Sequence, residues 1–366
     1  MANAVTRRSL LALLGVGVGA VAAGCDGGSA PTVSTSSPTP TTPAVPNGSA
    51  EPSGPSEPPV TQPVDTTLLE AALERAQTLS ATCAAITGAD GWHARTQAQV
   101  QTALDEQVRV LTGVLDPTAV TTAPGDRDTS TAAGGPGDQE SGTASADDQA
   151  PTTAGDDRDA TTATVSPRER AAADLRALGR DCLEDVTPEA LATVADASAD
   201  DLPMLLAIAA QRGATASIFG QDPQWAELAG PTGEAAAPLL DVYRPAVYGF
   251  EVLAARASGE ERERFEAVLT ALRAVTRQLT QLAGDSASPA PLGYGIPEGT
   301  GGNEGRAALA GDLLAALQPS IMTGTPEFTG DLDAVAGSVR LLAEAVALAQ
   351  PWRPVAAFPG MQVAGG

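Results

Sequence analysis

Residues 239–257 read LLDVYRPAVYGFEVLAARA. The apolar side chains fall at Leu239, Tyr243, Ala246, Phe250, Leu253 and Ala257, in steps of four and three. That spacing lines one stripe of a helix and predicts a seam packed against other helices. Three later segments repeat it. Residues 260–282 carry Phe265, Val268, Leu272, Val275, Leu279 and Leu282; residues 304–322 carry Ala310, Leu313, Leu317 and Ile321. Residues 331–350 carry Leu332, Val335, Val339, Leu342, Val346 and Ala349, and Pro351 stops them. Pro245 and Pro319 are expected to kink or disturb their helices. A Gly/Pro-rich crossover, 285–303, joins the second and third segments, a long connection of the kind some four-helix bundles use.

Ala246-Val247-Tyr248-Gly249-Phe250, followed by a closing Trp352-Arg353 and Ala357-Phe358-Pro359-Gly360, resembles the ferritin-like domain of unknown function found in actinobacterial lipoproteins. The resemblance covers about a third of the chain, residues 231–360. It implies a ferritin-like four-helix bundle carried on an exported lipoprotein. The family pattern has Glu-His just before Ala-Val-Tyr, and this chain departs from it with Tyr243, Arg244 and Pro245.

The composition agrees with helices. The chain is 43% hydrophobic but 3% aromatic, so its core is built mainly of Ala, Leu and Val, which suits close-packed helices better than a β-sandwich. All 21 basic residues are Arg, so lysine Schiff bases and P-loop lysines are excluded. A net charge of −24 opposes binding to nucleic acid and to anionic head groups.

Ahead of the bundle, Arg7 and Arg8 precede an apolar run over residues 10–23, an arrangement that resembles a twin-arginine export signal. Val21-Ala22-Ala23-Gly24-Cys25 resembles a lipobox, which would place a lipid on Cys25. The expected organisation is a signal peptide (1–24), a Pro/Ser/Thr-rich disordered tether (25–64), an N-terminal helical region (65–230) and the bundle (231–366). A Thr/Ala/Gly/Asp-rich insertion at about 117–166 interrupts the helical region. In that region the first helix carries Leu69, Ala72, Ala76, Leu79, Cys83 and Ile86. The second carries Val100, Leu104, Leu111 and Val114; the third carries Ala172, Leu175, Gly179, Cys182 and Val186. Thr187-Pro188 reads as the capped start of a short helix, and a further helix follows over 200–219. Residues 221–233, with two prolines and two glycines, read as the boundary between the halves.

Catalytic chemistry has little to work with. The single His, His93, excludes the two-histidine zinc motif, and there is no Gly-x-Ser-x-Gly elbow. No cofactor is expected: a di-iron bundle takes Glu-x-x-His from two helices, and the bundle has no His. Glu251, Asp312 and Glu344 lie off the apolar seams, so the bundle interior is expected to be apolar, with Tyr hydroxyls and one Arg–Glu pair. Up-down-up helices place alternate members parallel, so Cys83 and Cys182 are expected at one end, joined as a disulfide in an oxidising compartment. Tyr243, Arg244, Tyr248 and Glu251 are the candidate binding residues; Arg244 and Glu251, seven apart, share a side stripe. The expectation is an all-α, lipid-anchored cell-envelope protein, non-catalytic, that binds or scaffolds an envelope protein or a small molecule. A metal-binding or enzymatic ferritin-like bundle is the alternative. The mature chain should begin at Cys25 and fractionate with membranes, and Cys25→Ala should yield a soluble or unprocessed form. A Cys25→Ala protein that is processed and still membrane-bound contradicts the lipobox.

Overall fold

The computed structural model describes residues 66–116, 165–295 and 301–362. The expected signal, Cys25, the tether and nearly all of the insertion lie outside them. Among the described residues the protein is all-α, with nine α-helices and no strand. None of these helices is long and apolar enough to cross a membrane. We number them α1 (Thr67–Ala85), α2 (Gly91–Leu115), α3 (Pro167–Leu183), α4 (Pro188–Ala195), α5 (Leu202–Ile218), α6 (Gly233–Arg256), α7 (Gly259–Ala283), α8 (Asn303–Met322) and α9 (Leu332–Ala349).

Several starts are written in local chemistry. Ser166 accepts from the Glu169 amide while Glu169 accepts from the Ser166 amide, a reciprocal box that opens α3. Thr187 accepts from the Ala190 amide at 3.2 Å, with Pro188 at the first helical position of α4. Asp331 does the same for α9 through the Ala334 amide at 3.0 Å.

The helix at the centre of the array is α5. Every residue from 205 to 216 is buried, so α5 has no solvent face, the behaviour of a helix that is apolar nearly all round. It packs on α9 and on α3. The α9 helix in turn packs on α8 and α4, α6 pairs with α7 and α8, and α1 pairs with α2 and α3. The described residues all belong to one compact unit, so the line expected at 230/231 runs through its interior. The α5–α9 contact crosses that line.

The seams on α1 and α6 are buried as their spacing predicts. Other positions slip by one. Leu314 rather than Leu313, Ala283 rather than Leu282 and Ala171 rather than Ala172 face inward, because a 3.6-residue period drifts against fixed steps of three and four. Val114 (46% exposed) and Leu332 (41%) lie in terminal turns where no neighbour covers them. Both α6 and α8 run unbroken through Pro245 and Pro319.

The closing motif finishes the array. Trp352 stacks on Phe265, ring centroids 5.8 Å apart, and meets Phe250 edge-on at 6.2 Å. Arg353 pairs with Asp312 on α8. The Ala357 carbonyl accepts from buried Gln107 on α2 at 2.8 Å. Gly360 has φ 77°, and a Cβ there would meet the Gln318 carbonyl at 2.5 Å.

The expected disulfide is corrected. Both Cys83 and Cys182 are buried free thiols. The reason is direction. A Cβ built on Gly88, just past α1, would touch Pro167 at the start of α3, while Arg75 in the first half of α1 donates to the Asp181 carbonyl near the end of α3. So α1 and α3 run antiparallel and carry the two thiols at opposite ends. Cys83 lies eight residues beyond Arg75, about 12 Å along the helix, and a disulfide needs Cα atoms within about 7 Å. Burial pushes the Cys83 thiol up to about 11 and the Cys182 thiol up to about 12. At pH 8 both should stay protonated and inert to a thiol reagent in the native state, and in Cys25→Ala protein two thiols should titrate, without reductant, once the chain unfolds. Recovery of neither thiol in denaturant would restore the disulfide.

Candidate functional site

The segment between α5 and α6 is more than a boundary. Residues 222–229 bridge the end of α3, the start of α4 and the first turns of α9, and enclose a cleft of about 390 Å³. That volume falls within the usual range for small-molecule sites. Its walls are mostly apolar: Leu183, Val186, Leu191, Trp225, Leu228 and Ala336.

Three glycines let this segment lie flat on the helices. A Cβ on Gly337 of α9 would run into the Gly230 carbonyl, and one on Gly230 would meet the Ala334 amide nitrogen at 2.7 Å. A Cβ on Gly213 of α5 would meet the Trp225 ring at 2.9 Å, so the indole fills a notch that only glycine leaves open. Gln224 sits at φ 40°, a left-handed conformation for a residue with a side chain, and its amide donates to the Asp222 carboxylate at 3.2 Å. Arg340 ties the segment down: one terminal nitrogen donates to the Ala226 carbonyl at 2.8 Å, and Nε donates to Glu344 at 2.9 Å. Its charge is thus committed, and the cleft offers shape and apolar surface with Asp222, Glu227 and Asp333 among its lining residues.

Of the four candidates on α6, Arg244 and Tyr248 share a neighbour in Tyr294, while Tyr243 and Glu251 have other surroundings. Tyr243 is buried toward α9; burial raises its phenol pKa, and the Glu344 carboxylate adds to this while Arg340 opposes it. Arg244 donates to the Ser288 carbonyl at 2.6 Å, beyond α7. Tyr248 meets the Tyr294 ring at 5.7 Å. Glu251 forms an ion pair with Arg273 of α7 at 2.7 Å, not with Arg244. These contacts assemble helices, and none of the four side chains lines the cleft. Only Tyr243 approaches the cleft, through Arg340. His93, at the start of α2, stacks edge-on against Trp92.

The polar content of the bundle interior, residues 231–366, exceeds the Tyr hydroxyls and single Arg–Glu pair expected there. That pair is Arg306 with Glu261, at 2.6 Å. Ser338 and Thr325 are also buried in residues 231–366, and outside that segment Gln107, Gln211 and Thr215 form a buried chain linking α2 to α5. A further cluster, Arg75–Asp185–Arg212, ties α1 to α5 through the turn after α3. Among the described residues no group of three or more His, Cys, Asp or Glu is placed to hold a metal ion.

No family model, no curated protein and no solved structure matches the chain. The cleft residues Trp225 and Arg340 escaped the sequence reading, because the stretch around Trp225 reads as punctuation and Arg340 reads as a polar residue of an amphipathic helix. The available signal was an aromatic within a Gly/Pro-rich segment and an Arg four residues ahead of Glu344.

Proposed function

We propose that this chain is an exported, lipid-anchored protein of the cell envelope whose helical domain binds a small apolar molecule and does no chemistry on it. The lipobox-like Cys25 and the twin-arginine-like start motivate the location. The observation that carries the binding reading is the cleft beneath residues 222–229, with its Trp225 and leucine walls. A ferritin-like arrangement of α6–α9 is part of the same proposal. The paired α6 and α7 and the long connection from α7 to α8 support it, and α9 then serves both that bundle and α5.

The test is titration of the mature protein with the neutral apolar fluorophore N-phenyl-1-naphthylamine. Saturable one-to-one binding is expected, with tryptophan energy transfer that falls in Trp225→Phe, where Trp92 and Trp352 remain. Ala336→Phe fills the cleft from α9 and should weaken binding about tenfold or more, since excluding the probe from one apolar wall forfeits more than ~1.4 kcal/mol. Unchanged binding in Ala336→Phe contradicts the proposal.

A further inference from the structure

A second pocket, of about 290 Å³, lies between α1, α4 and α5 and shares no lining residue with the cleft. Most of its wall is apolar, with Leu68, Val194 and Ile208 prominent. Two guanidinium groups also line it, Arg75 and Arg212, with one carboxylate, Asp185.

The balance of partners at this wall is incomplete. Arg212 is 5% exposed. One of its terminal nitrogens reaches Asp185 at 3.2 Å and the other donates to the Ala72 carbonyl at 3.2 Å, but its buried Nε has no acceptor. Arg75 directs Nε at the same Asp185 carboxylate, at 3.2 Å from both oxygens, and Nη2 at the Asp181 carbonyl and Glu184. Glu184 itself is 71% exposed and stands outside the pocket. Two cations therefore share one enclosed carboxylate. A buried guanidinium is costly unless it is paired, and here two guanidinium groups border one pocket with a single enclosed carboxylate between them, an excess of positive charge that suits an anion. Arginine pairs suit carboxylates in particular, through parallel hydrogen bonds. The apolar remainder of the wall excludes a bare inorganic ion as the best occupant.

We propose that this pocket is a binding site for a small organic carboxylate, whose head group meets Arg75 and Arg212 and whose short hydrocarbon part lies against Leu68, Val194 and Ile208. Its volume sits at the lower edge of ligand sites, which limits the occupant to a short chain or a single ring.

Calorimetric titration of the mature protein with hexanoate tests this, with hexanamide, hexylammonium and sulfate as comparison probes. One site for hexanoate is expected, with each comparison probe at least about tenfold weaker, the size of effect that losing one charge-assisted hydrogen bond or the apolar contact produces. Arg75→Gln should weaken hexanoate to a similar degree. Ala71→Phe, at the exposed rim of the pocket, should block entry while leaving the helical circular dichroism unchanged, which keeps the test valid if Arg75→Gln unfolds. No hexanoate binding, equal binding of hexanamide or sulfate, or full affinity in a folded Ala71→Phe protein would overturn the proposal.

Discussion

The contact between α5 and α9 is the constraint on which the other packing depends. A helix whose residues 205–216 are all buried has to be surrounded, and no single neighbour does it. On one side α9 covers it, on another α3, while Arg212 reaches across to the Ala72 carbonyl of α1. The approach of α5 and α9 is close because small residues line it. Gly213 faces Ala343, and the Trp225 ring occupies the space that a larger residue at 213 would fill. Most of the core is Ala, Leu and Val, so its stabilisation comes from many modest burials, each fully buried Leu worth about 1.5–3 kcal/mol.

Polar groups placed within this core fix the helices relative to one another. Gln107 of α2 bonds both Gln211 of α5 and the Ala357 carbonyl near the C-terminus, so three distant parts of the chain share one buried amide. Asp185 serves both Arg75 and Arg212. Burial lowers the Arg212 pKa and Asp185 opposes that shift. Removing one partner from such a pair commonly costs ~3–5 kcal/mol, against ~0–1 kcal/mol for an exposed pair such as Arg262–Glu266. Position in the fold, more than the number of ion pairs, decides which of them matter.

How legible this was in the sequence depends on the kind of signal. Amphipathic seams with one wet face were readable, and those of α1 and α6 are buried residue for residue. The central helix was harder. A segment apolar on all sides has no phase, so LLAIAAQRGATA could be placed as a helix without showing that it lies at the centre. Helix direction was not readable either. Assuming an up-down-up order paired Cys83 with Cys182, whereas a long connection between α2 and α3 leaves the direction of α3 free, and it runs antiparallel to α1. The cleft depends on tertiary contacts of Trp225, Gly337 and Arg340, none of which belongs to a local pattern.

If α5 and α9 bind the two halves of the chain into one structure, the helical domain must unfold as a unit. Equilibrium urea unfolding of the mature protein tests this directly, with far-UV circular dichroism reporting all helices. Tryptophan fluorescence reports Trp225 beside α5 and Trp352 beside α6 and α7. The account predicts a single transition with coincident midpoints by both probes. Two separated transitions, with the C-terminal helices melting apart from α5, would contradict it.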